Sequence, residues 1–382
     1  MSKVLKVICM LIVSLAVAVA VFAYRNLHYD YMNENFMNKT GEKLGFTEKQ
    51  VVLDDGSVLN YGEGPSNGPP LLLLHGQQAA WQDYAKVLPG LSKEFHIFAV
   101  DYYGHGKSSK DTAKYKANII GRDLIWFMNH VIKKPSYVSG HSSGALLAAW
   151  LAANNAEHVA GLVLEDGPFF STEQGRAENT FAYKGFVNMH NFLNQKEIEN
   201  YTHYSLLYDP MIEIFNKHEE DIWEKAIKGP ALRYMKKHPG EIPRLWFYPP
   251  ELGVNAIFEL TRNVQDGTGG YDLYFGESFF DFSWFEGFNQ EETLKNIKAP
   301  TLVMQVNPSK ETAPDYYDEN GMLLSAMGRE DAERVCRLIP TSRYMTGFDS
   351  MHDIHADCPK QFVNAVLNFK KQVETGTFVS DT

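Results

Sequence analysis

Residues 137–153 read YVSGHSSGALLAAWLAA. The apolar start of this stretch favours a short buried strand, and the alanine and leucine at its end favour a helix. Between them lies a G-x-S-x-G pattern, which is typical of a sharp strand-turn-helix junction that exposes a serine oxygen. Gly140 and Gly144 lack the Cβ atoms that would keep the strand and the helix apart. Ser142 is therefore the candidate nucleophile.

Four other apolar runs flank this junction along the chain. They read PPLLLL at 69–74, HIFAV at 96–100, AGLVL at 160–164 and APTLVMQV at 299–306. Runs without regular polar alternation are typical of strands that are buried on both faces, as in a parallel sheet covered by helices. The sequence therefore predicts an α/β fold.

Three short motifs lie near the predicted strands. His75-Gly76 follows the first run, residues 101–108 read DYYGHGKS after the second, and residues 347–355 read GFDSMHDIH before a predicted closing helix. Together with the G-x-S-x-G pattern, this ordered set resembles the α/β-hydrolase superfamily over roughly residues 50–170 and 295–373. The resemblance implies a mostly parallel sheet flanked by helices, with a helical cap inserted after the sixth strand.

Composition and motifs divide the chain into six predicted segments. They are a membrane anchor or signal segment at 1–25, a spacer at 26–48, the first part of the α/β core at 49–167, a cap at 168–294, the second part of the core at 295–374, and a tail at 375–382. The cap is rich in aromatic residues. We expect those from Phe275 to Phe288 to contribute an apolar wall that shapes the substrate site.

The N-terminal segment predicts export. Lys3 and Lys6 precede an apolar stretch over residues 7–24, which is long enough to cross a membrane. The absence of a clean polar cleavage region favours an uncleaved anchor over a cleaved signal. Lysines before the span favour an N-terminus inside the cell. We therefore expect the catalytic part outside the cytoplasm, either membrane-anchored or, if the segment is cleaved, secreted.

The composition argues against several partners. The formal net charge is −11 and no basic run is present, so binding to nucleic acid is not expected. No spacing of cysteine and histidine indicates a metal site, and the predicted chemistry needs no cofactor. Cys336 and Cys358 either pair in an oxidising compartment or remain free. No sequence pattern indicates an oligomeric state.

A serine hydroxyl needs a base to take its proton as it attacks a carbonyl group. The resemblance implies that His352 is this base, since it follows the last predicted strand and precedes the closing helix. For His355, three residues later, we expect a surface position or a place beside the site. His75, His105 and His141 belong to turn motifs, in which a structural role as hydrogen-bonding groups is expected.

The acid that orients the base is not where most members of the superfamily have it. The segment after the predicted strand at 301–306 offers no carboxylate until Asp315 and Asp318. A minority arrangement takes the acid from the end of the strand before the cap, which here carries Glu165 and Asp166. Because side chains alternate along a strand, one of these two points toward the site. We choose Asp166, and the other three carboxylates remain alternatives.

The negative oxygen that forms during attack on a carbonyl group requires N–H donors that are already in position. The resemblance implies two, the backbone N–H groups of Gln77 and Ser143. Gln77 follows His75-Gly76, and Ser143 follows the candidate nucleophile.

These residues predict a serine hydrolase, in the form of a carboxylesterase that cleaves small to medium apolar esters through an acyl-Ser142 intermediate. In this superfamily haloalkane dehalogenases and epoxide hydrolases need an aspartate nucleophile, so Ser142 argues against both. The alternatives are an acyltransferase, a cofactor-free haloperoxidase-like enzyme, and a non-catalytic ligand-binding protein of the same fold.

Overall fold

Eight strands form one sheet in the computed structural model, which describes residues 3–217, 221–263, 270–310 and 312–381. In chain order the strands are β1 (Thr47–Val52), β2 (Val58–Glu63), β3 (Pro70–Leu74), β4 (His96–Asp101), β5 (Ser136–His141), β6 (Val159–Glu165), β7 (Thr301–Val306) and β8 (Ser342–Phe348). Their order across the sheet is β1-β2-β4-β3-β5-β6-β7-β8. The β1-β2 and β2-β4 pairs are antiparallel, and the other five pairs are parallel. The predicted mostly parallel sheet is confirmed.

The α-helices of the described residues vary from one turn to seven turns in length. In chain order they are α1 (Lys3–Leu27), α2 (Leu88–Leu91), α3 (Ala117–Phe127), α4 (Ser143–Asn154), α5 (Phe181–Asn194), α6 (Tyr201–Tyr208), α7 (Met211–Asn216), α8 (Gly229–Lys237), α9 (Val254–Asn263), α10 (Leu273–Phe280), α11 (Gln290–Asn296), α12 (Arg329–Leu338), α13 (Ile354–Asp357) and α14 (Pro359–Glu374). Short 3₁₀ and π turns lie between several of them, including a π turn that extends α3 to Ile132.

The central strands are buried along their whole length. Every residue of β3, β5 and β7 is buried, and α4 is buried from Ser143 to Ala152. α4 packs against β5 and β6, α14 packs against β6, and α12 packs against β7 and β8. This enclosure explains why the strands are predominantly apolar, because neither face of the sheet is exposed to water.

The parallel strands bring four chain segments to one edge of the sheet. Carboxyl ends of parallel strands share an edge, and ligands of open α/β sheets bind there. Gly76 follows β3, Ser142 follows β5, Asp166 follows β6 and His352 follows β8. Residues far apart in the sequence therefore meet at this edge.

The chain folds into two compact units. The larger contains Asn35–Gln195 and Asp266–Thr382, and so the whole sheet; the smaller contains Met1–Glu34 and Lys196–Gln265. The insertion follows β6, the sixth strand, as predicted. Its middle part belongs to the smaller unit and its two ends belong to the larger one, whereas the prediction treats 168–294 as a single segment. The individual segment boundaries remain predictions.

The smaller unit contains its own apolar core and a long exposed helix. The core is built around Trp223, Ile227 and Phe258, all of which are buried. In α1, the apolar window that is long enough to cross a membrane is exposed over its whole length. Length and composition make α1 the one candidate for a membrane span among the described residues.

The cysteines are unpaired. Cys336 and Cys358 are both free, as is Cys9. Of the two alternatives that the sequence leaves open for Cys336 and Cys358, the structure has the unpaired one. Burial raises the pKa of the Cys336 thiol to about 11, so this side chain is protonated and unreactive at neutral pH.

Candidate functional site

Ser142 lies at the sharp turn between β5 and α4. Its φ of 53° and ψ of −123° are values that non-glycine residues rarely adopt, and such strained backbone is concentrated at functional sites. A Cβ atom at Gly140 would overlap the carbonyl oxygen of Gly144, and one at Gly144 would overlap the carbonyl oxygen of Leu74. Glycine is therefore required at both positions for the strand and the helix to approach so closely.

Asp166 and His352 are joined by a hydrogen bond at the same edge of the sheet. His352 Nδ1 donates to Asp166 Oδ2 over 2.7 Å. Asp166 is fully buried, and its backbone N–H donates to the carbonyl oxygen of Met304 at 2.9 Å. The side chain of His352, in contrast, is 36% exposed. A buried carboxylate thus orients an imidazole that remains open to solvent.

The His352 ring lies against the residue that precedes Ser142. The ring of His141, which precedes Ser142, has its centroid 4.5 Å from that of His352. Within the described part of the chain, Ser142 Oγ forms no hydrogen bond with the His352 ring. Catalytic hydrogen bonds are often long in a free enzyme and shorten when the substrate binds.

The two neighbouring histidines differ in their electrostatics. Partial burial of His352 would by itself lower its pKa, but the hydrogen bond and charge of Asp166 outweigh that effect and raise the pKa to about 9. Burial, together with the charge of His352, lowers the pKa of His141 to about 3. At neutral pH the free protein therefore holds a proton on His352, and His141 is neutral beside it.

Glu165, the other carboxylate at the end of β6, binds a different histidine. Its Oε1 accepts from the backbone N–H of His355 at 2.7 Å and lies 2.9 Å from Nδ1 of the same residue. His355 Nε2 lies 3.1 Å from Asp83 Oδ2. Burial would lower the pKa of His355, but the charges of Glu165 and Asp83 hold it well above its usual range. A buried imidazolium between two carboxylates thus fixes α13 three residues after His352.

The same cluster contains the atoms of a candidate metal site. Asp83, His141 and His355 offer ligand atoms that all lie within 4.8 Å of one another. Metal ions bind the neutral form of histidine, so a metal ion here would have to displace the proton of His355.

Asp315 and Asp318 form local turns. Asp315 Oδ1 accepts from the backbone N–H of Tyr316 at 2.7 Å. Asp318 Oδ1 accepts from two backbone N–H groups that follow it, each at 2.9 Å. The hydrogen bonds of the described chain join neither carboxylate to His352.

The loop after β3 lies against Ser142. A Cβ atom at Gly76 would lie 3.1 Å from the Cβ atom of Ser142, so the backbone leading to Gln77 passes directly beside the candidate nucleophile. The Gln77 side chain is held in place by Tyr271, whose hydroxyl donates to Gln77 Oε1 at 2.6 Å.

Ser143 is the first residue of α4. The first N–H groups of a helix have no partner within the helix, and its amino end attracts negative charge. The Ser143 side chain is buried, with its Oγ 2.9 Å from the hydroxyl of Tyr102. The backbone N–H of Ser143 is therefore carried by a residue whose side chain is fixed.

Part of the aromatic run at 275–288 approaches this loop. Phe275 packs against Tyr102 and His105, with ring centroids at 5.7 Å and 4.6 Å. Tyr102 in turn contacts Ser143. Other aromatic residues of the run pack against one another in tilted or edge-to-face pairs: Phe279, Trp284, Phe285 and Phe288. Phe275 is thus linked to the candidate site through Tyr102, and the other four rings contribute to a local core.

Sequence reasoning missed three residues beside the site. Asp83, Tyr102 and Tyr271 contact His355, Ser143 and Gln77, respectively, and each pair is far apart in the chain. A signal existed only for Tyr102, which lies inside the motif at 101–108. No periodicity or spacing connects the other two pairs.

Comparison with protein families and curated sequences gives partial matches. The model of a family described as having the alpha/beta hydrolase fold matches residues 69–310, which is well over half of the chain. The magnesium-chelatase 30 kDa subunit of Rhodobacter capsulatus is 38% identical over 91 residues, which are 23% of this chain and 32% of that protein. The soluble epoxide hydrolase of Corynebacterium sp. (strain C12) is 30% identical over 100 residues, or 26% and 35% of the two chains. The chain thus matches about a third of the length of each of these relatives.

Solved structures share the fold over more of the chain. A bacterial membrane phospholipase A superposes with a TM-score of 0.57 and covers 97% of this chain and 99% of its own, at 18% sequence identity. At that identity the likeness concerns the fold. The names of the three similar proteins refer to different activities. The reaction therefore has to be inferred from the residues at the site.

Proposed function

Because the chain belongs to the alpha/beta hydrolase fold family, we propose that it is a serine carboxylesterase that cleaves small to medium apolar esters through an acyl-Ser142 intermediate. The observation that carries the proposal is the 2.7 Å hydrogen bond from His352 Nδ1 to Asp166 Oδ2. It occupies Nδ1, so that Nε2 is the ring nitrogen that acts as the base, once the ring is neutral, at the sheet edge that carries Ser142.

In the acylation step, Nε2 of neutral His352 takes the proton of Ser142 Oγ as that oxygen attacks the ester carbonyl carbon. The resulting tetrahedral intermediate carries a negative oxygen. His352 then gives its proton to the leaving alcohol oxygen as the carbon–oxygen bond breaks. In the second step water attacks the acyl carbon with help from the same base, and the carboxylic acid leaves with Ser142 restored.

Asp166 orients the ring and stabilises the imidazolium that forms in both steps. It does not take the proton itself. Its burial supports this role, because a carboxylate without water around it interacts more strongly with the charge on His352.

The negative oxygen of the intermediate is proposed to bind the backbone N–H groups of Gln77 and Ser143. Donors that are held before the reaction need no reorganisation when charge develops. The contacts of Tyr271 with Gln77 and of Tyr102 with Ser143 support such pre-organisation. The amino end of α4 adds a favourable dipole.

Serine as the nucleophile favours ester hydrolysis over the reaction named for the Corynebacterium relative. Opening of an epoxide in this superfamily proceeds through an ester with an aspartate, and residue 142 is serine. The apolar character of the substrate is part of the proposal and rests on the density of aromatic residues in the insertion after β6.

The proposal includes membrane attachment. Residues 7–24 lie in α1, which is apolar and exposed. An exposed apolar helix of this length is stable in a bilayer. With Lys3 and Lys6 on the cytoplasmic side, the catalytic domain would lie outside the cytoplasm.

A first test is hydrolysis of para-nitrophenyl esters of increasing acyl length by the full chain and by Ser142→Ala. We expect activity that favours short to medium chains and falls by several orders of magnitude in the variant. Undiminished hydrolysis by Ser142→Ala would overturn the proposal.

An added alcohol distinguishes a hydrolase from an acyltransferase. Transfer of the acyl group to that alcohol in preference to water indicates an acyltransferase.

A further inference from the structure

The smaller unit exposes large apolar side chains on a loop that is distant from α1 in sequence. Between α8 and α9, Trp246 is 45% exposed, Phe247 41% and Leu252 60%. The rings of Trp246 and Phe247 lie 5.8 Å apart, so these two side chains form one patch. Exposed apolar patches mark surfaces that meet a protein or a membrane. We refer to residues 246–252 as the aromatic loop.

The end of α1 is bound to the aromatic loop. Asn26 is completely buried, and its Nδ2 donates to the carbonyl oxygen of Trp246 at 2.8 Å. The guanidinium of Arg25 forms an ion pair with Glu251. Two consecutive residues at the end of α1 therefore contact both ends of the loop.

The contact continues along the residues that follow α1. Arg244 donates to the carbonyl oxygen of Tyr29 at 2.8 Å, and its guanidinium lies 5.2 Å from the ring centroid of Tyr31. Arg262 donates to Glu34 Oε1 at 2.8 Å. The segment after α1 thus lies against the smaller unit along its length, where the sequence predicts a spacer.

The position of these contacts along α1 determines the depth of the loop in a bilayer. Residues 7–24 carry no charge, and Arg25 is the first charged residue after Lys6. A helix of this length rises about 27 Å, close to the ~30 Å hydrocarbon core of a bilayer. Arg25 therefore emerges into the headgroup layer, which is roughly 5–7 Å thick on each side. Residues that contact Arg25 and Asn26 lie in or beside the same layer.

We infer that the aromatic loop is a second membrane-contacting element, which places Trp246, Phe247 and Leu252 in the headgroup layer of the bilayer that α1 crosses. The inference rests on the proposed membrane span of α1. Tryptophan is enriched at this depth because its ring is apolar while its N–H keeps a polar partner. Tyr24, which is 66% exposed in the last turns of α1, lies at the same level.

The charges of this surface indicate the kind of lipid it meets. Its three arginines are each paired with a carboxylate: Arg25 with Glu251, Arg244 with Glu259, and Arg262 with Glu259 and Glu34. Paired arginines contribute little attraction to anionic headgroups. Contact therefore depends on the apolar side chains, and phosphatidylcholine, which is zwitterionic and has no net charge, is sufficient.

Spin-label depth in the full-length chain tests the inference. The chain is reconstituted in phosphatidylcholine nanodiscs, with its three native cysteines replaced by serine, and labels are introduced one at a time by Phe247→Cys and Leu252→Cys. Leu15→Cys, in the middle of α1, reports on the span. Val52→Cys, on β1 and 62% exposed like Leu252, is the matched aqueous control. Accessibility to a water-soluble nickel complex and to oxygen gives the depth of each label.

We expect nickel accessibility at residues 247 and 252 to be several-fold lower than at residue 52, with no change on addition of an anionic lipid. Accessibility equal to that at residue 52, with the label at residue 15 in the hydrocarbon, overturns the inference and leaves the span standing. An aqueous label at residue 15 overturns both. A circular dichroism spectrum and a urea unfolding curve equal to those of the unlabelled chain show that each labelled chain is folded.

Discussion

At the scale of single residues, Asp166 differs from the other candidate acids in a way that substitution can test. Asp166→Asn keeps the size of the side chain but removes the charge that stabilises protonated His352, so we expect kcat to fall by about 10³–10⁴-fold. Asp315→Asn and Asp318→Asn are matched controls that should leave kcat unchanged, since both carboxylates bind local backbone groups. Ester turnover by the purified variants is the measurement, and an equal loss in a control would contradict the assignment.

The raised pKa of His352 predicts the pH dependence of the reaction. The proposed base acts only when it is neutral, so kcat/KM should increase with pH with a midpoint at about pH 9. In Asp166→Asn the favourable charge is lost, and the midpoint of the residual activity should move down toward the ordinary histidine pKa of about 6.5. The pH profile of kcat/KM reports on the free enzyme and is the appropriate measurement. A wild-type midpoint at the ordinary value would show that Asp166 does not act on His352.

The sequence leaves four candidates for the acid, and alternation alone cannot decide between the two at the end of β6. Alternation makes Glu165 and Asp166 point in opposite directions, but the side that faces the base depends on the position of His352 in the fold. The role of His355 is even harder to predict from the sequence. Its partners, Glu165 and Asp83, come from two segments that only the folded sheet edge brings together.

At the scale of elements, the sharp turn between β5 and α4 requires glycine for a steric reason. Gly144→Ala would drive a methyl group into the carbonyl oxygen of Leu74, so we expect lower stability and loss of activity. Gly185→Ala in α5 is the matched control, because a Cβ atom there meets nothing within 4 Å and alanine favours a helix by about 1 kcal/mol. Urea unfolding measures the stability of both variants. A Gly144→Ala variant that is as stable as Gly185→Ala would contradict this account of the turn.

Most strands of the sheet and the closing helix could be predicted from the sequence. Strands buried on both faces, such as β3 and β7, appear in the sequence as short apolar runs, and the closing helix α14 begins at Pro359 as expected from its fixed φ. The short helices within the insertion were not predicted individually. Many are only one or two turns long, and tertiary contacts, which local sequence does not encode, determine their ends.

At the scale of the whole molecule, the division into two units was the main feature that the sequence did not reveal. The N-terminal segment shares a unit with residues 196–265 because Asn26 and Arg25 contact residues more than 200 positions away. A contact of this range leaves no periodic signal. In contrast, the fold of the larger unit followed from ordered motifs, because each motif lies at the end of a strand and the strands have a common edge.

The most direct test of the central claim is covalent labelling of the full chain with a fluorophosphonate, followed by peptide mass spectrometry. An activated serine attacks the phosphorus and expels fluoride, so we predict a stoichiometric adduct on Ser142 with parallel loss of ester hydrolysis. Asp166→Asn should react far more slowly than the wild type, and Ser142→Ala should not react. No adduct on Ser142, in a chain that still hydrolyses esters, would contradict the account.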